Sequence, residues 1–76
     1  MVTAFVMIKA NTGEAEQLRT NIEAIDGVES AYIVAGDVDI IAKAVVDSPA
    51  AVKDVAATEI QGIQGVEDTQ TYIAMG

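Results

Sequence analysis

The segment Val28–Val46, VESAYIVAGDVDIIAKAVV, decides the fold of this chain. Two β-rich runs, Val28–Ala35 and Asp39–Val46, flank a Gly-Asp-Val turn, which predicts a β-hairpin with a tight connection. Glycine tolerates a positive φ, and Gly-Asp suits the central positions of a hairpin turn. We therefore expect two carboxylates, those of Asp37 and Asp39, at the tip of the hairpin.

Strand-like and helix-like patterns alternate on either side of the hairpin. Met1–Ala10 has apolar residues at both even-numbered and odd-numbered positions, and therefore on both faces of a strand. This is typical of a strand in the centre of a sheet. Thr12 predicts the start of a first helix, Ser48-Pro49 predicts the start of a second, and Val66–Met75 is the last predicted strand. The predicted core stripes of the two helices are Ala15, Leu18, Ile22 and Ile25, and Val52, Ala56, Ile60 and Ile63. The predicted order is β-α-β-β-α-β.

An internal repeat supports this order. The segment IEAIDGVE at Ile22–Glu29 recurs as IQGIQGVE at Ile60–Glu67. Two βαβ-type halves related by a pseudo-two-fold axis describe a ferredoxin-like fold. We predict an α+β sandwich, in which a four-stranded antiparallel sheet carries two helices on one face. The first and third strands should lie in its centre.

The face of this sheet that the helices leave open is predicted to be apolar. Its expected members are Phe5, Met7, Tyr32, Val34, Ile41 and Val45. A contiguous exposed apolar patch usually marks an interface, and a domain of 76 residues has little core of its own. We therefore predict a homodimer formed by face-to-face packing of the sheets. The alternative is a monomer whose patch is interrupted by Lys9, Lys43 and Gln70.

Composition excludes several classes of function. Twelve acidic and four basic residues give a net charge of −8, which disfavours direct binding to nucleic acid. This charge fits either ordinary solvation or a salt-rich cytoplasm, where screening relieves the repulsion. The chain has no cysteine and no histidine, which argues against the usual zinc sites and Ser-His catalysis and fits the cytoplasm. We see no membrane-spanning run, secretory leader, metal site or cofactor motif.

The polar residues near the hairpin tip are the candidate site. Carboxylates of Asp37 and Asp39 could pair with an ammonium group, and turn amides near Gly36 could bind a carboxylate. An α-amino acid carries both groups, and Thr69 and Thr71 of the last strand could add hydroxyls. The alternative is a solvated turn with aspartate as turn former. We identify no catalytic residue.

Two longer patterns resemble a known family. Ile22 through Lys43 reads I-x-x-I-x-G-V-x-x-x-Y-x-V-x-G-D-x-D-I-I-x-K, and Ile60–Thr71 reads I-Q-x-I-x-G-V-x-x-T-x-T. They resemble the RAM domain, the effector-binding C-terminal domain of the leucine-responsive regulatory protein (Lrp)/AsnC family of transcription regulators. The resemblance covers essentially the whole chain. Its most specific part is the G-D-x-D hairpin combined with the two I-x-G-V segments.

The resemblance implies a ferredoxin-like domain that dimerises through its sheets and can assemble four dimers into an octamer. It also implies a small-molecule effector, usually an amino acid, bound between dimers near the G-D-x-D loop and the last strand. The implied ligand contacts are Gly36, Asp37, Asp39, Thr69 and Thr71. The family often has an aromatic residue between the two aspartates, where this chain has Val38.

Because the chain begins at the first strand, it resembles a stand-alone RAM domain over residues 1–76, without a helix-turn-helix. The first hypothesis is therefore a non-enzymatic oligomeric sensor that modulates full-length Lrp/AsnC regulators without binding DNA itself. The second is an assembly scaffold that has lost its ligand. The third is a dimeric α+β-barrel enzyme, which the lack of histidine, cysteine and tryptophan disfavours.

Overall fold

A computed structural model describes residues 1–11 and 13–76 of the chain. The elements are β1 (Val2–Ala10), α1 (Ala15–Glu23), β2 (Val28–Ile33), β3 (Ile40–Val46), α2 (Pro49–Lys53), a π-helical segment (Asp54–Ile60) and β4 (Val66–Ile73). The predicted β-α-β-β-α-β order is confirmed. The predicted cap of α1, Thr12, lies outside the described residues. The predicted start of α2 is confirmed, because Oγ of Ser48 accepts a hydrogen bond from the amide of Ala51 at 3.3 Å.

The four strands form one antiparallel sheet in the order β2-β3-β1-β4. The first and third strands lie in its centre, as predicted from their apolar residues on both parities. On one face of these two strands, the side chains of Ala4, Val6, Ile8, Ile40, Ala42 and Ala44 are fully buried. This face receives both helices.

The helices contribute the other half of the core. Leu18 and Ile22 of α1 pack with Val55, Ala56 and Ile60 of the π-helical segment against the buried face of the sheet. These residues recur at helical spacing, so each helix buries one stripe and leaves its other side in solvent. The ferredoxin-like α+β sandwich predicted from the sequence is confirmed.

The hairpin tip differs from the prediction. The strands end at Ile33 and begin again at Ile40, so six residues connect them instead of a tight turn. The amide of Val34 donates to the carbonyl of Asp39 at 2.9 Å and closes this connection. Gly36 does not adopt the left-handed conformation on which the turn prediction relied.

The left-handed glycines lie instead at equivalent positions of the two halves. Gly27 has a φ of 98° and Gly65 a φ of 103°. The carbonyl of Gly27 accepts from the amide of Val45 at 2.9 Å, and the carbonyl of Gly65 accepts from the amide of Asn11 at 2.7 Å. Gly27 therefore connects the end of the first helix to β3, and Gly65 connects the end of the second helix to the residue that follows β1. The repeated I-x-G-V segments mark these two connections.

The second helix was predicted as one helix with α-helical spacing. Its second part, Asp54–Ile60, is a π-helix, which is wider than an α-helix. The amide of Gln61 donates to the carbonyl of Ala56, five residues earlier, at 3.2 Å. Val55 lies in the core beside Ala56 and Ile60, whereas Ile63 of the predicted stripe is half-buried beyond the helix. Among residues 1–11 and 13–76, no helix is long and apolar enough to cross a membrane.

Candidate functional site

A recess of about 290 Å³ lies where the hairpin tip meets the ends of β1 and β4. We call it the tip recess, and its lining residues are Met7, Lys9, Asp37, Val38, Asp68, Thr69 and Gln70. Two of the predicted contacts, Asp37 and Thr69, line it together. One cation and two carboxylates therefore share this small space, and an uncharged side chain, Val38, stands between the aspartates of the tip.

The carboxylate of Asp39 lies beside the tip recess and is bonded to the main chain. Its Oδ2 accepts a hydrogen bond from the amide of Ala10 at 2.8 Å. Its own amide donates to the carbonyl of Ile8 at 3.0 Å, and its carbonyl accepts from Val34. Asp39 is half-buried and is bonded to both the end of β1 and the first residue of the tip.

The two predicted threonines are separated by the structure. The hydroxyl of Thr69 donates to Oε1 of Gln61 at 2.7 Å, and its amide donates to Oδ1 of Asp68 at 2.9 Å. Thr71 instead lies in an apolar groove between β4 and the second helix, beside Val52 and Ile73. Gly36 does not line the tip recess and is joined to it only through Asp37. Thr71 is therefore not brought together with the tip.

Lys9 and Asp68 are site residues that the sequence analysis did not select. They are cross-strand partners in the pairing of β1 with β4, and the register shifts immediately after Lys9. Both project from the same face as Phe5 and Met7, because side chains alternate along a strand. The alternation of β1 was readable in the sequence, but the pairing that sets Asp68 opposite Lys9 depends on the register of two distant strands.

The open face of the sheet has the predicted apolar character. Phe5 is 36% exposed and Tyr32 is 60% exposed, while Met7, Val34, Ile41 and Val45 are half-buried by their neighbours on the sheet. Tyr72, 52% exposed, extends this face on β4 opposite Phe5. Lys43, one of the residues that would interrupt the patch in the alternative of a monomer, is paired with Glu29 at 3.2 Å.

A second recess lies at the opposite end of the sheet and is acidic. Asp26, Asp47, Asp54 and Glu59 surround Gly27 there. Across the part of the chain that the structure describes, no group of three or more acidic side chains is arranged to hold a metal ion. The mixed charge of the tip recess thus sets it apart from this purely acidic one.

Comparison with known proteins identifies the family. The model of the Lrp/AsnC ligand binding domain matches residues 3–76. The chain belongs to this family. It is 30% identical over 74 residues to the leucine-responsive regulatory protein of Escherichia coli K12, a match that covers 93% of this chain and 45% of that protein. The chain therefore spans a little under half the length of the curated relatives it matches.

Solved structures share the fold. TTHA0845 from Thermus thermophilus superposes with a TM-score of 0.93 at 30% identity, covering 100% of this chain and 95% of that one. Escherichia coli AsnC gives a TM-score of 0.89 at 26% identity, covering 99% of this chain and 51% of AsnC. The regulator NMB0573 of Neisseria meningitidis, solved as an L-Met complex, gives 0.86 at 17% identity over 99% of this chain and 50% of its own, a likeness of fold.

Proposed function

We propose that this chain is a non-enzymatic sensing and oligomerisation module, which binds a small molecule, most simply an amino acid, and modulates transcription regulators of its family. The observation that carries the proposal is the mixed charge of the tip recess, in a chain that belongs to the Lrp/AsnC ligand binding domain family. A recess with one lysine and two carboxylates is complementary to a zwitterion, because each charged group of the ligand meets a group of opposite sign.

The chemistry of the recess fits an α-amino acid in particular. Lys9 can pair with the α-carboxylate, while Asp37 and Asp68 can pair with the α-ammonium group. The side chains of Met7 and Val38 supply an apolar wall for an aliphatic ligand side chain. Among relatives, one Escherichia coli protein is named for its response to leucine and the Neisseria regulator was solved with L-methionine. Both amino acids are therefore reasonable first probes.

Modulation without direct DNA binding is supported by charge. A net charge of −8 opposes association with a phosphate backbone, which requires clustered lysine and arginine. We infer that the chain acts by assembling with other subunits, either its own copies or full-length Lrp/AsnC regulators. A single domain over residues 1–76 and a cytoplasmic location remain predictions from the sequence.

The assembly we propose is a homodimer formed through the open face, with four dimers forming an octamer as the larger state. Its support is the cross-strand row of apolar side chains from Met7 through Ile41 to Tyr32, with Phe5 beside it on β1, which water would otherwise contact. Covering them adds apolar burial that a domain this small lacks.

Isothermal titration against the twenty amino acids, combined with light scattering, tests the proposal. We expect heat with at least one amino acid and a change in oligomer size on binding. The variant Asp37→Asn should weaken binding because it removes one negative charge from the recess and changes the volume little. The variant Glu67→Gln, the same change on an exposed residue of β4 outside the recess, is the matched control. No heat with any amino acid would contradict the sensing proposal.

An assembly scaffold without a ligand is the second candidate, and the open apolar face is the observation that favours it. A scaffold would form the same oligomers with and without amino acids, and Asp37→Asn would leave their size unchanged. A sensor would change size with the ligand in the wild type and lose that response in the variant.

A further inference from the structure

Asp39 combines a charged side chain with bonds to three separate main-chain groups. Ile8 is the last residue of β1 that pairs with β3, through Ile40. β1 continues beyond this pair, and extending the register would place Val38 opposite Ala10. Val38 belongs to the tip and not to β3, so the amide of Ala10 has no main-chain acceptor on β3. Oδ2 of Asp39 accepts from that amide at 2.8 Å and replaces the missing strand acceptor.

This bond lies at the irregular point of the pairing between β1 and β4. The register shifts between Lys9 and Ala10, so β4 carries one extra residue there. Bulges of this kind redirect the side chains beside them. Lys9 is the residue immediately before the shift, and its side chain lines the tip recess. Among the described residues, no carboxylate lies within 4.0 Å of its ammonium group.

We propose that Asp39 is a positioning residue, which holds the amide of Ala10 and thereby directs Lys9 into the tip recess, and that it does not itself contact the ligand. This inference rests on the proposed function and deepens it. In this arrangement Asp37 and Asp68 pair with the cationic group of the ligand, and Lys9 pairs with its anionic group. Asp39 differs from Asp37 because its carboxylate accepts a hydrogen bond from the main-chain amide of Ala10, whereas the carboxylate of Asp37 lines the recess.

Replacing the two tip aspartates by asparagine separates these roles. Asparagine keeps a side-chain oxygen that can accept from Ala10, while it loses the charge and carries an NH2 donor in place of the second oxygen. Asp39→Asn should therefore retain the affinity for L-leucine or L-methionine within about threefold, while Asp39→Ala should lose about tenfold or more through the displaced lysine. Asp37→Asn should also lose about tenfold, because the charge itself is used there.

Two measurements on each variant decide the matter: titration calorimetry with both probes, and hydrogen exchange at the Ala10 amide. We expect protection of that amide in the wild type, in Asp39→Asn and in Asp37→Asn, and its loss in Asp39→Ala. Global stability, measured by chemical denaturation, shows whether Asp39→Ala has simply unfolded. Lys9→Met should match the affinity loss of Asp39→Ala while keeping the Ala10 amide protected.

Two results would overturn the proposal. The first is loss of affinity in Asp39→Asn as large as in Asp37→Asn with the Ala10 amide still protected, since the charge of Asp39 would then contact the ligand. The second is full affinity in Asp39→Ala. If the wild type binds neither probe, the proposed function fails for them, and the positioning role is decided by the Lys9 ammonium resonance in NMR. That resonance should shift in Asp39→Ala and not in Asp39→Asn, and the absence of any difference would refute the role.

Discussion

The main-chain amide of Ala31 donates a hydrogen bond to the carboxylate of Glu23, with 3.0 Å between nitrogen and oxygen. Ala31 lies on β2, an edge strand, where an outward amide would otherwise be available to a foreign strand. The other oxygen of Glu23 pairs with Arg19 at 2.8 Å. The pKa of Arg19 is raised by the hydrogen bond and the charge interaction of its guanidinium with Glu16, and then by the charge of Glu23. Charged groups of α1 thus cover the edge of β2.

Removing this cover should destabilise the domain. Glu23→Ala leaves the Ala31 amide without its acceptor, so we expect the free energy of unfolding to fall by about 1–2 kcal/mol. Exchange at the Ala31 amide should accelerate, and Glu23→Gln, which keeps an acceptor oxygen, should lose less. Glu67→Ala makes the same charge change at an exposed position and should stay within about 0.5 kcal/mol. Urea denaturation that finds equal losses for Glu23→Ala and Glu67→Ala would assign no stability to the bond.

The repeated halves predict equal penalties at equivalent core positions. Ile22 and Ile60 occupy the same place in the two copies of the repeat, and both are fully buried. Truncation of either to alanine should cost about 2–5 kcal/mol through lost transfer energy and the cavity left behind. Ile73, 41% exposed on β4, should cost clearly less on the same change. Denaturation curves in which Ile73→Ala matches the two core variants would contradict this assignment of the core.

Gly27 should not tolerate a side chain. Its φ of 98° is strained for any L-residue, and a Cβ there would lie 3.0 Å from Cγ1 of Val46 and 3.3 Å from Cγ2 of Val55. We expect Gly27→Ala to destabilise by roughly 1–3 kcal/mol. Gly36→Ala is the control, since a Cβ at that position meets no atom within 4 Å. A loss of stability in Gly36→Ala as large as in Gly27→Ala would show that the helix exit needs glycine no more than the tip does.

A charge in the open face should separate the proposed dimer. Ile41 lies near its centre, opposite Met7 on β1 and Tyr32 on β2. Ile41→Glu would bury an unpaired carboxylate in the interface, so light scattering should report the mass of a single chain. Ala57→Glu adds the same charge on the exposed side of the second helix and should leave the mass unchanged. A wild type that is already monomeric would contradict the proposal.

The surface charge predicts a response to salt. Asp26, Asp47, Asp54 and Glu59 line one recess of a chain whose net charge is −8. Salt at roughly 1 M shortens the screening length to about 3 Å and weakens their mutual repulsion. We expect the midpoint of thermal unfolding to rise along a KCl series. Replacing Asp47 and Asp54 by asparagine should reduce that rise, and a midpoint that is independent of KCl would exclude adaptation to a salt-rich cytoplasm.

The architecture could be predicted from the sequence because it follows from local patterns. Apolar residues on both parities of β1 and β3 identified the central strands, and the two I-x-G-V segments identified equivalent helix exits. The turn at Gly36 was predicted wrongly in detail, since the Gly-Asp pattern does not specify the length of a connection closed by Val34 and Asp39. The π-helical widening over Asp54–Ile60 has no signature in the helical spacing of the predicted stripe.

The candidate site was predicted only in part, and the reason is physical. Residue type and alternation determine which side chains are charged and on which face each one lies, so the sequence alone determined the carboxylates of the tip and the apolar open face. Which residues meet depends on the pairing of strands far apart in the chain. The register of β1 and β4 set Asp68 beside Lys9 in the recess, and Thr71 lies in another groove. The end of the pairing between β1 and β3 brought Asp39 to the amide of Ala10. These meetings are long-range, and only the tertiary structure decided them.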